Sequence, residues 1–256
     1  MSNQILGPNR TEKCLCGSGL RFKHCCGSIM DGRGPPRGIH IVENFLDQEL
    51  CNRLTIYLNS RDGENLKVVD ISNTPSALIL SKYDDRRFTE KVELGDDQEL
   101  FNKIMKSALL EVVEPRIEAT IEWYEEPQVL RYRTGGFYQA HADSENLDKS
   151  TSTWSKILDR DISVLLYLNN EFTGGTLSFP KFRYVLQPKA GMLVFFPSDS
   201  RYIHNADRVL SGVRYALVSW ASVCGILKVR SQPSDKALPL HDLPPPKIII
   251  PPLEYD

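Results

Sequence analysis

From residue 128 onward the chain is a succession of short apolar runs, and this limits its fold more than any other feature. QVLRYR, GFYQAHAD, ISVLLYLN, GTLSFP, YVLQP, GMLVFFP and VRYALVSWA follow one another, separated by clusters of Gly, Pro, Asn, Asp and Ser. Each run has the length of a strand, and turn residues punctuate the intervals. A chain of this kind closes into a β sandwich or jelly roll. The upstream text is different. IHIVENFL is expected as a strand, and Asp47 as the N-cap of a helix carrying Leu50, Leu54 and Leu58 at four-residue spacing. ENLKVVDI is expected as a second strand. LFNKIMKSALLEVVEPRIEATIEWY, residues 100–124, has helical periodicity with a break or kink at Pro115. The fold class is α+β, mainly β, with helices covering one face of a sheet.

Composition excludes several function classes. With 41% hydrophobic and 25% charged residues, neither disorder nor a membrane class is indicated. No apolar run approaches the ~20 residues that span a bilayer, and MSNQILGPNRTEK lacks a secretory pattern, so a cytoplasmic location without membrane contact is expected. The net charge of -2 provides no basic field for nucleic acid. Residues 1–38 nevertheless carry six basic against two acidic side chains, a net +4 that leaves -6 for the remainder. A basic tip on an acidic body suits an anionic docking partner, and equally a solvated tail.

Four of the six cysteines, Cys14, Cys16, Cys25 and Cys26, crowd into C-x-C-x8-C-C within residues 1–30. That segment is too short for its own core, so a bound metal would have to supply folding energy. Four thiolates suit a tetrahedral structural zinc, and Gly17 and Gly19 allow a tight turn. A reduced tail and an Fe–S cluster are the alternatives. Residues 31–38, containing GRGPPRG, form a linker by their glycine and proline content. The main domain spans 39–225, and the proline-rich remainder, 226–256, is a tail or extended strap. Cys51 and Cys224 have no partner pattern and are expected as buried free thiols.

His141 and Asp143 form H-A-D in a β segment, where residues i and i+2 share a face. In a chain with five histidines such a triplet is close to chance. His204, in a separate β segment, adds a third ligand; two histidines and one carboxylate on one face of Fe(II) leave its other face open. Arg214 begins the alternation Arg214, Ala216, Val218, Trp220, which places a permanent cation in an apolar row. A small dicarboxylate would satisfy it, as would an internal carboxylate or solvent.

YRTGGFYQAHAD, from Tyr132 to Asp143, resembles the Y-x-x-G-x-x-Y-x-x-H-x-D pattern of the prolyl 4-hydroxylase branch of the Fe(II)- and 2-oxoglutarate-dependent oxygenases. LLYLNNEFTGGTLSFP and LVFFPSDSRYIHNADRVLSGVRYALVSWAS continue the likeness over residues 39–222. The resemblance implies a double-stranded β-helix with iron held by His141, Asp143 and His204. Arg214 would bind the distal carboxylate of 2-oxoglutarate, Tyr167 would assist it, and Tyr132 and Tyr138 would line the pocket. The carboxylate at Asp143 implies hydroxylation, because related halogenases have a small residue there. Collagen-type enzymes carry lysine in place of Arg214, which speaks against a collagen-like substrate. The cysteine segment resembles the SEC-C zinc motif, which implies Zn(II) in a module that could recruit a partner through Lys13, Arg21, Lys23 and His24.

The expected function is a 2-oxoglutarate-dependent dioxygenase using Fe(II) and O2, with ascorbate as an implied reductant and a prolyl residue in a protein as substrate. The same chemistry on a small molecule or another side chain is one alternative. A catalytically inactive zinc-module adaptor is the other. Substrate determinants are expected in the loop from Asp70 to Gly95 and the insert between Ser144 and Asp159, with Arg86 and Arg87 as exposed cations.

Overall fold

The computed structural model describes residues 7–31, 34–66, 69–70, 79–80, 86–148 and 150–241. Most of the 70–85 stretch and the proline-rich segment 243–256 therefore lie outside the described residues. Antiparallel sheets dominate the rest. The larger has nine strands, and its central path runs from His40–Val42 through Leu193–Pro197, Ile162–Tyr167, Arg214–Val223 and Gln128–Tyr132 to Glu90–Val92 and Gly63–Asn65. The smaller has five, in the order Tyr184–Leu186, Leu177–Phe179, His204–Ala206, Phe137–His141 and Arg87–Phe88.

Period-two alternation divides the interior into two cores. Val164, Leu166, Phe195, Tyr215 and Leu217 project from one face of the large sheet onto the helices. Leu165, Tyr167, Val194, Phe196, Ala216 and Val218 project from the other, toward Leu177, Phe179 and Ala206 of the small sheet. The two sheets thus face one another across the second core, the jelly-roll arrangement. Asp47 caps the helix Gln48–Asn59 by accepting from the Leu50 amide at 2.7 Å, and Leu54 and Leu58 are fully buried. Burying each leucine contributes roughly 1.5–3 kcal/mol.

Several expectations change. Helical winding runs from Gln98 through Pro115 to Ile117, widening to π geometry over Leu109–Val113 just before the proline. It ends at Glu118, which takes a left-handed conformation at φ 53°, so Ile121–Glu125 is a strand and not more helix. There Ile121, Trp123 and Tyr124 pair with Arg214–Val223, a tertiary contact that overrides the local helical pattern. Of the two forms expected for residues 226–256, a tail or an extended strap, the described part up to His241 takes the second. Ala237–Pro239 adds a strand to Ile121–Glu125, and the Asp159 carboxylate accepts from the amides of Val229 and Arg230. Cys51 is buried but Cys224 is exposed, because it follows the last strand residue, Val223.

ENLKVVDI is not one strand: Gly63–Asn65 and the two-residue Val69–Asp70 belong to different sheets. The insert after Ser144 forms a hairpin of Glu145–Asp148 with Thr153–Lys156. Among the described residues, no helix is long and apolar enough to cross a membrane.

Candidate functional site

His141 ends the strand Phe137–His141 and lies directly opposite His204 on the neighbouring strand His204–Ala206. That register brings the two rings to 4.4 Å between centroids. Asp143 arrives differently from the expectation of one continuous strand. The backbone bends after His141, and the amides of Asp143 and Ser144 both donate to the Ser198 carbonyl at 3.1 Å. The carboxylate then spans both histidines, with Oδ1 3.3 Å from His141 Nε2 and Oδ2 3.5 Å from His204 Nε2. One ligand atom from each of the three residues lies within 4.8 Å of the others.

The other ring nitrogens fix the chemistry. His141 Nδ1 lies 2.8 Å from the Gln139 carbonyl and His204 Nδ1 lies 3.2 Å from the Tyr202 carbonyl. A carbonyl only accepts, so each Nδ1 carries a proton, and Nε2, beside Asp143, is the ring atom that could hold a metal. Burial holds His204 below its ordinary value, at about 4, against the opposing pull of Asp143. Burial would push Asp143 up, but the histidines and the Ser163 hydroxyl outweigh it and hold the carboxyl well below its usual range. Two imidazoles and one carboxylate converging in this way form a ligand set that fits a divalent cation, and two nitrogens with one oxygen suit iron.

Ser163 donates to Asp143 Oδ2 at 2.6 Å and is 2.7 Å from the Ser198 hydroxyl. This pair was not found in the sequence, although a serine on the inward face of ISVLLYL was the signal available. Ser163→Ala is expected to weaken metal binding by about 10-fold while leaving the fold intact, as outer partners of metal ligands typically do. A titration with Mn(II) followed by electron paramagnetic resonance checks this, and an unchanged affinity refutes it.

Arg214 lines the same cavity as His141, Asp143 and His204, together with Tyr132 and Tyr167. It is 2% exposed, its Nη1 donates to the Gly175 carbonyl at 2.6 Å, and its Nε has no partner among the described residues. Among the described residues, no carboxylate is paired with it. The guanidinium lies 4.0 Å from the centroid of Tyr132 and 6.0 Å from that of Tyr167. Burial raises the Tyr167 hydroxyl, so it is neutral and able to donate. A buried, uncompensated cation with an unfilled donor fits an organic carboxylate.

Other cations near the cavity differ. Arg160 makes a two-pronged pair with Glu125 at 2.6 Å and lies 3.7 Å from the Trp220 ring centroid. Arg87, expected as exposed, is half-buried; it lies 4.5 Å from the Tyr138 centroid, and its Nε has no partner among the described residues. Tyr138 itself stacks on His141 at 3.6 Å, and burial raises its hydroxyl to about 12.

The four module cysteines also converge, their sulfurs within 4.8 Å of one another. Cys16 Sγ is 3.4 Å from Cys25 Sγ, and the Cys14 amide closes the intervening loop onto the Leu20 carbonyl at 2.8 Å. Gly17 and Gly19 take φ of 79° and 75°, which only glycine adopts without strain. This donor set fits a tetrahedral metal.

Residues 127–222 match the 2OG-Fe(II) oxygenase superfamily model and residues 10–28 match the SEC-C motif. A prolyl 4-hydroxylase-like protein of Acanthamoeba polyphaga mimivirus is 33% identical over 108 residues, covering 38% of this chain and 44% of that protein. The chain thus spans less than half the length of that relative. The structure of a Pseudomonas putida prolyl-4-hydroxylase is 21% identical with a TM-score of 0.50, covering 80% of this chain and 100% of that one. The Trichoplax adhaerens prolyl hydroxylase in complex with a hypoxia inducible factor peptide fragment is also 21% identical at a TM-score of 0.50, covering 78% and 88%. At these identities the structural likenesses establish a shared fold.

Proposed function

We propose, on the premise that this chain carries a 2OG-Fe(II) oxygenase domain, that it couples oxidative decarboxylation of 2-oxoglutarate to hydroxylation of a prolyl residue in a protein. The observation that carries this reading is Arg214, a buried guanidinium with no carboxylate paired to it among the described residues, in the cavity lined by His141, Asp143 and His204. Iron would be held by His141, Asp143 and His204, and the distal carboxylate of 2-oxoglutarate by Arg214. Together with O2 these would supply transfer of one oxygen atom to a C–H bond, the second atom leaving in succinate.

The protein's own residues do the rest. Ser163 and Ser198 keep the carboxylate of Asp143 turned toward both imidazoles. The Gln139 and Tyr202 carbonyls hold the histidines in the tautomer that leaves Nε2 free. Tyr132 and Tyr167 wall the guanidinium from water, which strengthens its pairing with a carboxylate. Likeness to the mimivirus protein supports a prolyl target. Zn(II) in the four thiolates is structural in this reading, because closed four-thiolate sites leave no position open for chemistry. Ascorbate, as reductant of the iron, belongs to the same proposal. So does recruitment of an anionic protein partner, which would meet Lys13, Arg21 and His24 on the exposed side of the module.

The test is incubation of the purified protein with Fe(II), ascorbate and labelled 2-oxoglutarate. Labelled CO2 and succinate are expected, with the mass of one oxygen atom added to proteins trapped by the inactive His141→Ala variant and then treated with active enzyme. Absence of metal binding and of any turnover would sink the enzyme and favour an adaptor. An added oxygen on a residue other than proline would overturn the prolyl assignment alone.

A further inference from the structure

The cysteine module is not suspended on its linker. Cys14, Phe22 and Cys26 are almost fully buried, and they belong to the same apolar cluster as Phe179, Phe182, Phe196 and Tyr202 of the jelly roll. Gly7 packs so closely that a side chain there would strike the Lys181 carbonyl. The covering is therefore backbone-tight as well as apolar.

Tyr202 stands where this contact meets the iron ligands. Its ring is 3% exposed and 5.1 Å from that of Phe182. Its hydroxyl donates to the Arg37 carbonyl at 2.9 Å and fills the space where Gly38, at φ 89°, lacks a side chain. Its own carbonyl accepts from His204 Nδ1. One residue thus joins the segment that follows the module, the apolar contact beneath the module, and the orientation of an iron ligand.

We propose that Tyr202 is a positioning residue for His204 and that the cysteine module acts through it, so that metal in the four thiols sets the affinity of the His141/Asp143/His204 site. This rests on the iron-site reading given above. Without a metal the four thiols no longer hold residues 14–26 as one body, because a segment of that size lacks a core of its own. The apolar cluster that Phe22 and Cys26 share with Tyr202 then loosens, and the carbonyl that fixes His204 gains freedom. Loss of an outer partner of a ligating histidine typically costs 10–100-fold in metal affinity.

Mn(II) is the probe, because it favours imidazole and carboxylate over thiolate. Zinc-loaded full-length protein, the double variant Cys16→Ser/Cys25→Ser, Tyr202→Phe and Tyr202→Ala are titrated with Mn(II) by electron paramagnetic resonance, with zinc content counted by mass spectrometry. The double variant and Tyr202→Ala are expected to bind Mn(II) about 10–100-fold more weakly than the parent. Tyr202→Phe keeps the ring and is expected to restore most of the affinity. Amide exchange across residues 198–206 is expected to rise in the weak binders and not in Tyr202→Phe. A zinc-free double variant, or a Tyr202→Ala variant, that binds Mn(II) within about twofold of the parent overturns the proposal. Tyr202→Ala decides alone if the double variant does not fold. Failure of the parent to bind Mn(II) overturns the iron-site reading instead.

Discussion

Asp143→Ala is expected to lower Fe(II) affinity by on the order of 1,000-fold, beyond the 10–100-fold that outer partners of metal ligands cost. Of His141, Asp143 and His204, only Asp143 is an acid, and its carboxylate lies beside both imidazoles. Its removal leaves a divalent cation facing two neutral nitrogens in a buried site. Asp143→Asn retains the volume and an acceptor for Ser163 but not the charge, and is expected between the parent and alanine. The metal-free fold survives both changes, Asp143→Ala at a cost of about 1–3 kcal/mol for leaving the Ser163 hydroxyl without this acceptor, and Asp143→Asn at less because its amide oxygen still accepts. Calorimetric titration with Fe(II) under anaerobic conditions measures the first effect and urea unfolding the second. Retention of Fe(II) affinity within tenfold in Asp143→Ala would remove this residue from the ligand set.

The same site shows which parts of the structure were legible in sequence. Alternation placed Arg214, Ala216, Val218 and Trp220 in one row, and all four line the cavity. Strand periodicity is a property of the backbone alone, so it survives without knowledge of partners. The Asp47 cap and the Leu50, Leu54, Leu58 stripe were legible for the same reason. Spacing put Asp143 beside His141, but the structure brings it there through a bend and not a continuous strand. The bend that turns it onto Ser198 depends on a strand more than fifty residues away.

Features set by tertiary pairing were not legible. Ile121–Glu125 carries a helical pattern in sequence, yet its hydrogen bonds go to Arg214–Val223 and Ala237–Pro239. The spacing of the cysteines described how the module closes on itself, but not that its one buried aromatic, Phe22, would face the jelly roll. Arg87 appeared as half of a solvated Arg-Arg pair, and only its pairing with the Tyr138 strand turns it toward the cavity.

Arg214→Met is expected to abolish 2-oxoglutarate binding while raising the thermal stability of the ligand-free protein. The two effects have one cause. The guanidinium is buried with an unfilled Nε and no carboxylate beside it among the described residues, so the empty protein carries the desolvation cost of a permanent charge. Replacing a buried charge by an apolar side chain of similar volume is often stabilising by ~1–4 kcal/mol. Bound 2-oxoglutarate would offset that cost by supplying the anion, and without the cation the entering carboxylate is itself buried unpaired. Truncating one partner of such a pair costs ~2–5 kcal/mol, a loss of roughly 30- to 5,000-fold in affinity. Arg214→Lys keeps the charge but not the fork, and is expected to bind at an intermediate level. Thermal unfolding with and without 2-oxoglutarate, in the presence of Mn(II), reads both effects. The parent is expected to rise in Tm on adding the ligand, and Arg214→Met to start higher and not respond. A methionine variant that is less stable when empty yet still shifts with 2-oxoglutarate would mean that Arg214 is structural and that the carboxylate is held elsewhere.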